Sequence, residues 1–66
     1  MRRRFRYLLA FEPKEGPMTV AEFDMYDEYQ EFEKDLAAQD LWHKLLNEKE
    51  FTSPEYKDAN YIDMRG

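Results

Sequence analysis

The fold is decided by the stretch Arg4-Phe5-Arg6-Tyr7-Leu8-Leu9-Ala10-Phe11. Every second side chain from Phe5 onward is an aromatic ring or a leucine, so the large apolar groups share one side. A period of two predicts a half-buried β-strand, with Arg4, Arg6, Leu8 and Ala10 on the other side. An isolated strand leaves its backbone groups unpaired. We therefore expect a partner strand, from the C-terminal tail or from another molecule.

A turn and then a helix are predicted after this strand. The segment Pro13-Lys14-Glu15-Gly16-Pro17 carries two prolines and a glycine that can adopt positive φ, which is typical of a turn. The next segment, Thr19-Val20-Ala21-Glu22, matches a capping box, in which the first and fourth side chains bond each other's backbone amides. The main helix is therefore expected over residues 20–38.

The apolar positions indicate where this helix ends. Met25, Tyr29, Phe32 and Leu36 form one stripe at helical spacing. The next apolar group (Leu41, Trp42, Leu45 and Leu46) is rotated away from that stripe. We expect a break near residues 38–40, with Asp40 as a new N-cap and a second, shorter helix over residues 40–49. The alternative is one long helix that touches different neighbours at its two ends.

The C-terminal part contains a second start signal, Thr52-Ser53-Pro54-Glu55, which predicts a short helix or turn over residues 54–60. Tyr61, Ile62 and Met64 can then add a short strand beside the first one. Residues 1–66 are thus expected to form a single small α+β domain. The alternative is a mostly α-helical hairpin whose N-terminal segment is extended but unpaired.

Composition narrows the classes of function. The chain has 66 residues, no cysteine, one histidine and a formal charge of −5. A chain of this size buries only about 60% of the surface that its unfolded form exposes, so its core is small. The longest apolar run, residues 7–11, is too short for a signal peptide or a membrane span. We expect an intracellular, cytoplasmic protein without a cofactor or a metal ion.

The acidity is concentrated in residues 19–40, which hold eight acids and one base. In the predicted helix, five of these acids share one face: Asp24, Asp27, Glu28, Glu31 and Asp35. Like charges four residues apart destabilise a helix by about 0.2–0.5 kcal/mol per pair. Acids one turn apart are separated by about 6 Å along the axis, a spacing comparable to that of phosphates on a nucleic-acid strand. The row is interpreted either as a phosphate mimic or as a face that is solvated or paired with Arg2, Arg3, Arg4 and Arg6.

Other patterns give weaker hypotheses. Arginines interleaved with aromatic residues at the N-terminus occur in single-strand nucleic-acid binders, but direct nucleic-acid binding is not expected from an acidic protein. Asp40 and His43 have the spacing of half a metal site. No nucleophile with a base and no phosphate-binding loop is present in the sequence. We therefore expect a protein that is not an enzyme.

Two classes of function are retained. The first is a non-enzymatic inhibitor or modulator that binds a nucleic-acid-handling protein through the acidic row, with Tyr26 or Tyr29 as a flanking anchor. Small acidic proteins of this kind are encoded by phages, a similarity of type rather than of sequence. The second is a structural or regulatory subunit that docks by its apolar face, with a homodimer as one form of it. Its candidate interface is formed by Leu41, Trp42 and Leu45.

Overall fold

The N-terminal alternation forms the strand at the centre of the structure. The computed structural model describes residues 6–65. In it β1 (Tyr7–Phe11) pairs antiparallel with β2 (Thr19–Phe23) on one edge and with β3 (His43–Leu46) on the other. The last strand, β4 (Asn60–Asp63), pairs in parallel with β2. The sheet order is β3-β1-β2-β4, and with its helices the chain forms a small α+β domain, as predicted.

Both faces of β1 are buried, although the alternation predicted one exposed face. Leu8 and Ala10 pack with Val20, Leu46 and Tyr56 on one side of the sheet. The opposite side carries a second cluster, formed by Leu9, Phe11, Ala21, Phe23 and Leu36. The main helix covers this second cluster, and the segment of residues 48–56 covers the first. The predicted part of this strand before Arg6 lies outside the described residues.

The turn after β1 is confirmed, but the capping box at residues 19–22 is wrong. Gly16 adopts the positive φ (98°) that the turn requires. Thr19–Phe23 is β2, fully buried along its length. Thr19 donates its hydroxyl hydrogen to the carbonyl of Pro17 instead of capping a helix. Burying a five-residue strand rich in β-formers outweighs a cap worth about 1 kcal/mol.

The main helix, α1 (Tyr26–Ala38), begins six residues later than expected. Met25, expected to open the apolar stripe, is its N-cap and is 55% exposed. Tyr29, Phe32 and Leu36 face the sheet, as the stripe predicted. The break is also confirmed: Gln39 is the C-cap, and Asp40 has a φ of 59°.

A second, shorter helix is present, as predicted, but the predicted bounds, residues 40–49, are wrong. Asp40 ends α1 instead of capping a new helix, and His43–Leu46 is a strand because it pairs with the outer edge of β1. The second helix is a single turn, α2 (Glu48–Phe51), which begins with a capping box between Asn47 and Glu50. Backbone pairing with the buried strand β1 outweighs the helical spacing of the leucines.

The C-terminal predictions are partly confirmed. Pro54–Tyr56 is a 3-10 turn with Pro54 at its start, and Asn60–Asp63 is the expected short strand. That strand lies beside β2, whereas the sequence placed it beside β1. The alternative of a mostly helical hairpin is wrong. Within residues 6–65, no helix has the length and apolar character needed to cross a bilayer.

A buried carboxylate, Glu22, ties three parts of the chain together. It is 2% exposed, and its oxygens accept hydrogen bonds from Arg6 Nε at 2.7 Å and from the hydroxyl of Tyr61 on β4. Arg65 Nη1 lies 3.8 Å away, so β4 and the residues after it meet this carboxylate. The Arg6 guanidinium lowers the pKa of the Glu22 carboxyl, against the effect of burial.

Glu22→Gln is expected to lower the free energy of unfolding by about 2–4 kcal/mol, because the charge-assisted bonds are lost in a buried site. Urea denaturation at pH 7 measures the change. Glu48→Gln is the matched control, since Glu48 also accepts a bond from Arg6, at 2.8 Å, but is exposed. It should cost less than about 1 kcal/mol. Equal losses in the two variants would contradict the role assigned to Glu22.

Candidate functional site

The acidic residues of α1 remain on the surface. Asp27, Glu28, Glu31 and Asp35 are exposed on the helix, and we call them the acidic face. Asp24 is also exposed but lies in a bend before the helix, so it does not belong to the helical row that the sequence predicted. Asp27 and Glu28 lie in the first turn, where the helix dipole favours negative charge. The unfavourable pairs one turn apart are therefore Asp27 with Glu31 and Glu31 with Asp35.

The only base within α1 is Lys34, three residues after Glu31, so the acidic face has little counter-charge. None of the ion pairs within residues 6–65 involves its four carboxylates. Arg6, expected as a partner of the acidic row, is bonded to Glu22 and Glu48 instead. Arg2, Arg3 and Arg4 lie outside the described residues. Asp35 accepts one hydrogen bond, from Gln39 Nε2 at 3.0 Å.

An open groove runs beside the acidic face, between α1 and the end of β4. We call it the acidic groove; it has a volume of about 480 Å³. It is lined by Phe23, Phe32, Met64, Glu28, Glu31 and Asp35. Met64 is 40% exposed and Ile62 is 42% exposed. Ile62 pairs with Ala21, so both side chains lie on the α1 side of the sheet. Three carboxylates therefore lie next to apolar side chains that residues 6–65 leave partly exposed.

The two candidate anchors, Tyr26 and Tyr29, lie away from the acidic groove. Tyr29 is half-buried and stacks on Tyr7 with 5.4 Å between ring centroids, so it contributes to packing. Burial raises the pKa of its phenol. Tyr26 packs edge-on against Tyr7 at 5.7 Å and remains 51% exposed. Neither ring lines the acidic groove.

The predicted second interface is split by the strand that the sequence missed. Leu41 is half-buried against the core under α1. Trp42 and Leu45 are 45% and 47% exposed. The amide of Glu12 donates to the carbonyl of Trp42 at 3.0 Å, which extends the β1–β3 ladder by one residue. Side chains alternate along a strand, so Trp42 and Leu45 lie on opposite faces of this edge.

His43 is held by two acceptors and is not paired with Asp40. Its Nδ1 lies 3.0 Å from the carbonyl of Leu41, and its Nε2 lies 2.9 Å from Glu33 Oε2. Both nitrogens must donate, which favours the protonated ring, and these contacts raise the pKa of His43. The described residues contain no group of three or more His, Cys, Asp or Glu side chains that could hold a metal ion.

No protein-family model, curated protein or solved structure matches this chain. Its function is therefore inferred from the surface geometry and charge.

Sequence reasoning missed the apolar part of the acidic groove. Phe23 was assigned to a helix, and Met64 lies about 40 residues away in the chain. The β-forming residues Thr19, Val20 and Phe23 were the available signal for a strand. The contact of Glu33 with His43 had no local signal, because a helix and a strand bring the two residues together.

The bond between His43 and Glu33 predicts a pH-dependent stability. The pKa of His43 is raised in the folded state, so its contribution is complete below about pH 6.5 and is lost as pH rises through the folded pKa. Glu33→Gln should therefore cost about 1 kcal/mol at pH 6 and less at pH 9. Urea denaturation at both pH values measures this, with Glu31→Gln as the control. An equal loss of unfolding free energy at pH 6 and pH 9 would contradict an ion pair between His43 and Glu33.

Proposed function

We propose that this protein is a non-enzymatic modulator that binds a basic, phosphate-binding surface of a nucleic-acid-handling protein through the acidic face. The observation that carries the proposal is the row of Asp27, Glu28, Glu31 and Asp35, which form no ion pair within residues 6–65 and lie beside the partly apolar lining of the acidic groove. A partner with lysine or arginine side chains gains charge-assisted contacts there. The apolar lining adds buried area, which distinguishes this surface from a merely solvated face.

The spacing of the acids supports competition with phosphates. Asp27, Glu31 and Asp35 follow each other at one-turn intervals, so they rise about 6 Å per step along α1. A rigid row of anions at this interval presents a basic groove with charges similar in spacing to those of a nucleic-acid strand. The negative charge of the whole chain also favours approach to a basic partner.

A binding role is favoured over a catalytic one by the contacts of the perturbed groups. Glu22 is occupied by Arg6 and Tyr61, and both nitrogens of His43 face acceptors. Groups held in this way stabilise the fold and have no free position for a substrate proton. The proposal therefore assigns the protein no reaction.

Glu31→Lys combined with Asp35→Lys tests the proposal. The helix should fold about as well: the first lysine would follow Asp27 by one turn and the second would complement the dipole of the last turn, while a like-charge pair remains at positions 31 and 35. Each acid is worth about 1–3 kcal/mol as a charge-assisted contact, so partner affinity should fall at least about fivefold per residue.

The measurement is capture of proteins from a cell lysate on the immobilised chain, followed by elution with duplex DNA at constant ionic strength. The control is Glu55→Lys with Asp58→Lys, two exposed acids in the segment of residues 54–58. It makes the same change in net charge away from α1. DNA-eluted proteins should be retained by the wild type and the control and depleted on the reversed chain. Equal retention on all three would refute phosphate mimicry.

The alternative function, a homo-oligomeric subunit, is favoured by one observation. Trp42, just before β3, and Leu45, on β3, are exposed on opposite faces of this strand, and no strand within residues 6–65 pairs with its outer edge. Pairing of two β3 edges would cover both side chains at once.

Sedimentation equilibrium tests this alternative. The wild type should self-associate at high micromolar concentration. The variant with Trp42→Ala and Leu45→Lys should be monomeric, because it lacks the apolar side chains that flank the edge. The acidic reversal of α1 should leave the association unchanged. A wild type that stays monomeric at these concentrations would remove the oligomeric alternative.

A further inference from the structure

The outer edge of β4 has backbone groups that no described residue pairs with. The amide of Asn60 donates to the carbonyl of Met18 at 2.9 Å, and that of Met64 donates to the carbonyl of Glu22 at 2.8 Å. Alternate residues of β4 therefore bond to β2, and the N–H and C=O groups of Tyr61 and Asp63 point away from the sheet. Within residues 6–65, no strand pairs with this edge.

Within residues 6–65 both faces of β4 are also largely uncovered, and Phe51 packs against Tyr61 with 6.2 Å between ring centroids. All four of its residues are exposed, because α1 and the segment of residues 48–56 pack over the other strands. The acidic groove opens on one side of this edge. On the other side lies a groove of about 520 Å³, which we call the apolar groove; its lining contains no acid and includes Val20, Phe51, Tyr56, Ala59 and Tyr61.

We propose that β4 accepts an added strand from a partner, an extended segment in which basic and apolar residues alternate. The exposed backbone groups of Tyr61 and Asp63 supply the hydrogen bonds. Side chains of a strand alternate between faces, so one set would point to the acidic groove and the other to the apolar groove. The first set is basic, to match Glu28, Glu31 and Asp35, and the second is apolar. This inference rests on the proposed function, since it names the form of the partner segment at the same acidic groove.

Charge selects a basic partner over a second copy of this chain. Antiparallel pairing of two β4 strands would continue the sheet across a two-fold axis and place both α1 helices on the same side. The two acidic faces would then face each other across the junction, and like charges in such an arrangement oppose association. A basic segment does not meet this repulsion, and its positive charges neutralise the carboxylates of the acidic groove.

The test uses a nine-residue peptide in which lysine alternates with valine, with both ends blocked. A second peptide carries N-methyl groups on alternate amides along the edge that would pair, which removes the donors and keeps every charge. A third has the same composition with lysines and valines in separate blocks. Binding to the full chain is followed by fluorescence anisotropy, and hydrogen exchange of the Tyr61 and Asp63 amides is followed by NMR.

The alternating peptide should bind at least tenfold more tightly than the N-methylated and the block peptides. It should also slow exchange of the Tyr61 and Asp63 amides at least tenfold. The amides of His43 and Leu45, on the outer edge of β3, are the internal control and should not change. Equal binding of the alternating and the N-methylated peptides would overturn strand addition, and so would the absence of detectable binding at millimolar concentration.

The chain with Glu31→Lys and Asp35→Lys separates this inference from the proposed function. Loss of binding in this variant together with indifference to N-methylation would support the acidic face and overturn strand addition. Binding that survives the charge reversal but is lost on N-methylation would support strand addition and contradict the acidic match. If the chain alone self-associates with Tyr61 and Asp63 already protected, a second copy occupies the edge and the proposal is wrong.

Discussion

β1 needs hydrogen-bond partners along both of its edges and apolar cover on both of its faces, because Leu8, Leu9 and Ala10 are all buried. Each edge needs a neighbouring strand, since an unpaired buried amide or carbonyl costs about as much as a lost hydrogen bond. Residues 19–23 and 43–46 supply those neighbours, and each face then requires its own cover of apolar side chains. The positions of α1 and α2 follow from this requirement.

Local signals in the sequence predicted the parts of the fold that are decided locally. The turn at Gly16, the end of α1 near Asp40 and the start of a turn at Pro54 depend on the backbone preferences of a few adjacent residues. The identities of β2 and β3 depend on pairing with β1, so Thr19-Val20-Ala21-Glu22 read alone matched a helix start equally well. The choice between helix and strand for residues 19–23 and 43–46 is decided only when these segments pair with β1.

The candidate site divides in the same way. Exposure of Glu28, Glu31 and Asp35 could be predicted, because ionised side chains without a partner stay in water and helical periodicity places them together. The apolar lining could not, since Phe23 and Met64 come from separate strand segments and reach the acidic groove only through the parallel pairing of β4 with β2. A row of acids in the sequence therefore indicated charge but not the shape of the surface that carries it.

The exposed strand β4 is held in place by a buried charge. One 13-residue helix and one short covering segment suffice for the inner strands, so β4 remains outside both layers. A strand exposed on both faces gains little from burial, and it needs another contact to hold its register. The hydroxyl of Tyr61 supplies one by donating to Glu22, whose charge Arg6 compensates. The buried carboxylate thus orders the strand that flanks both grooves, and the rigidity of the proposed binding edge depends on a residue that is itself buried.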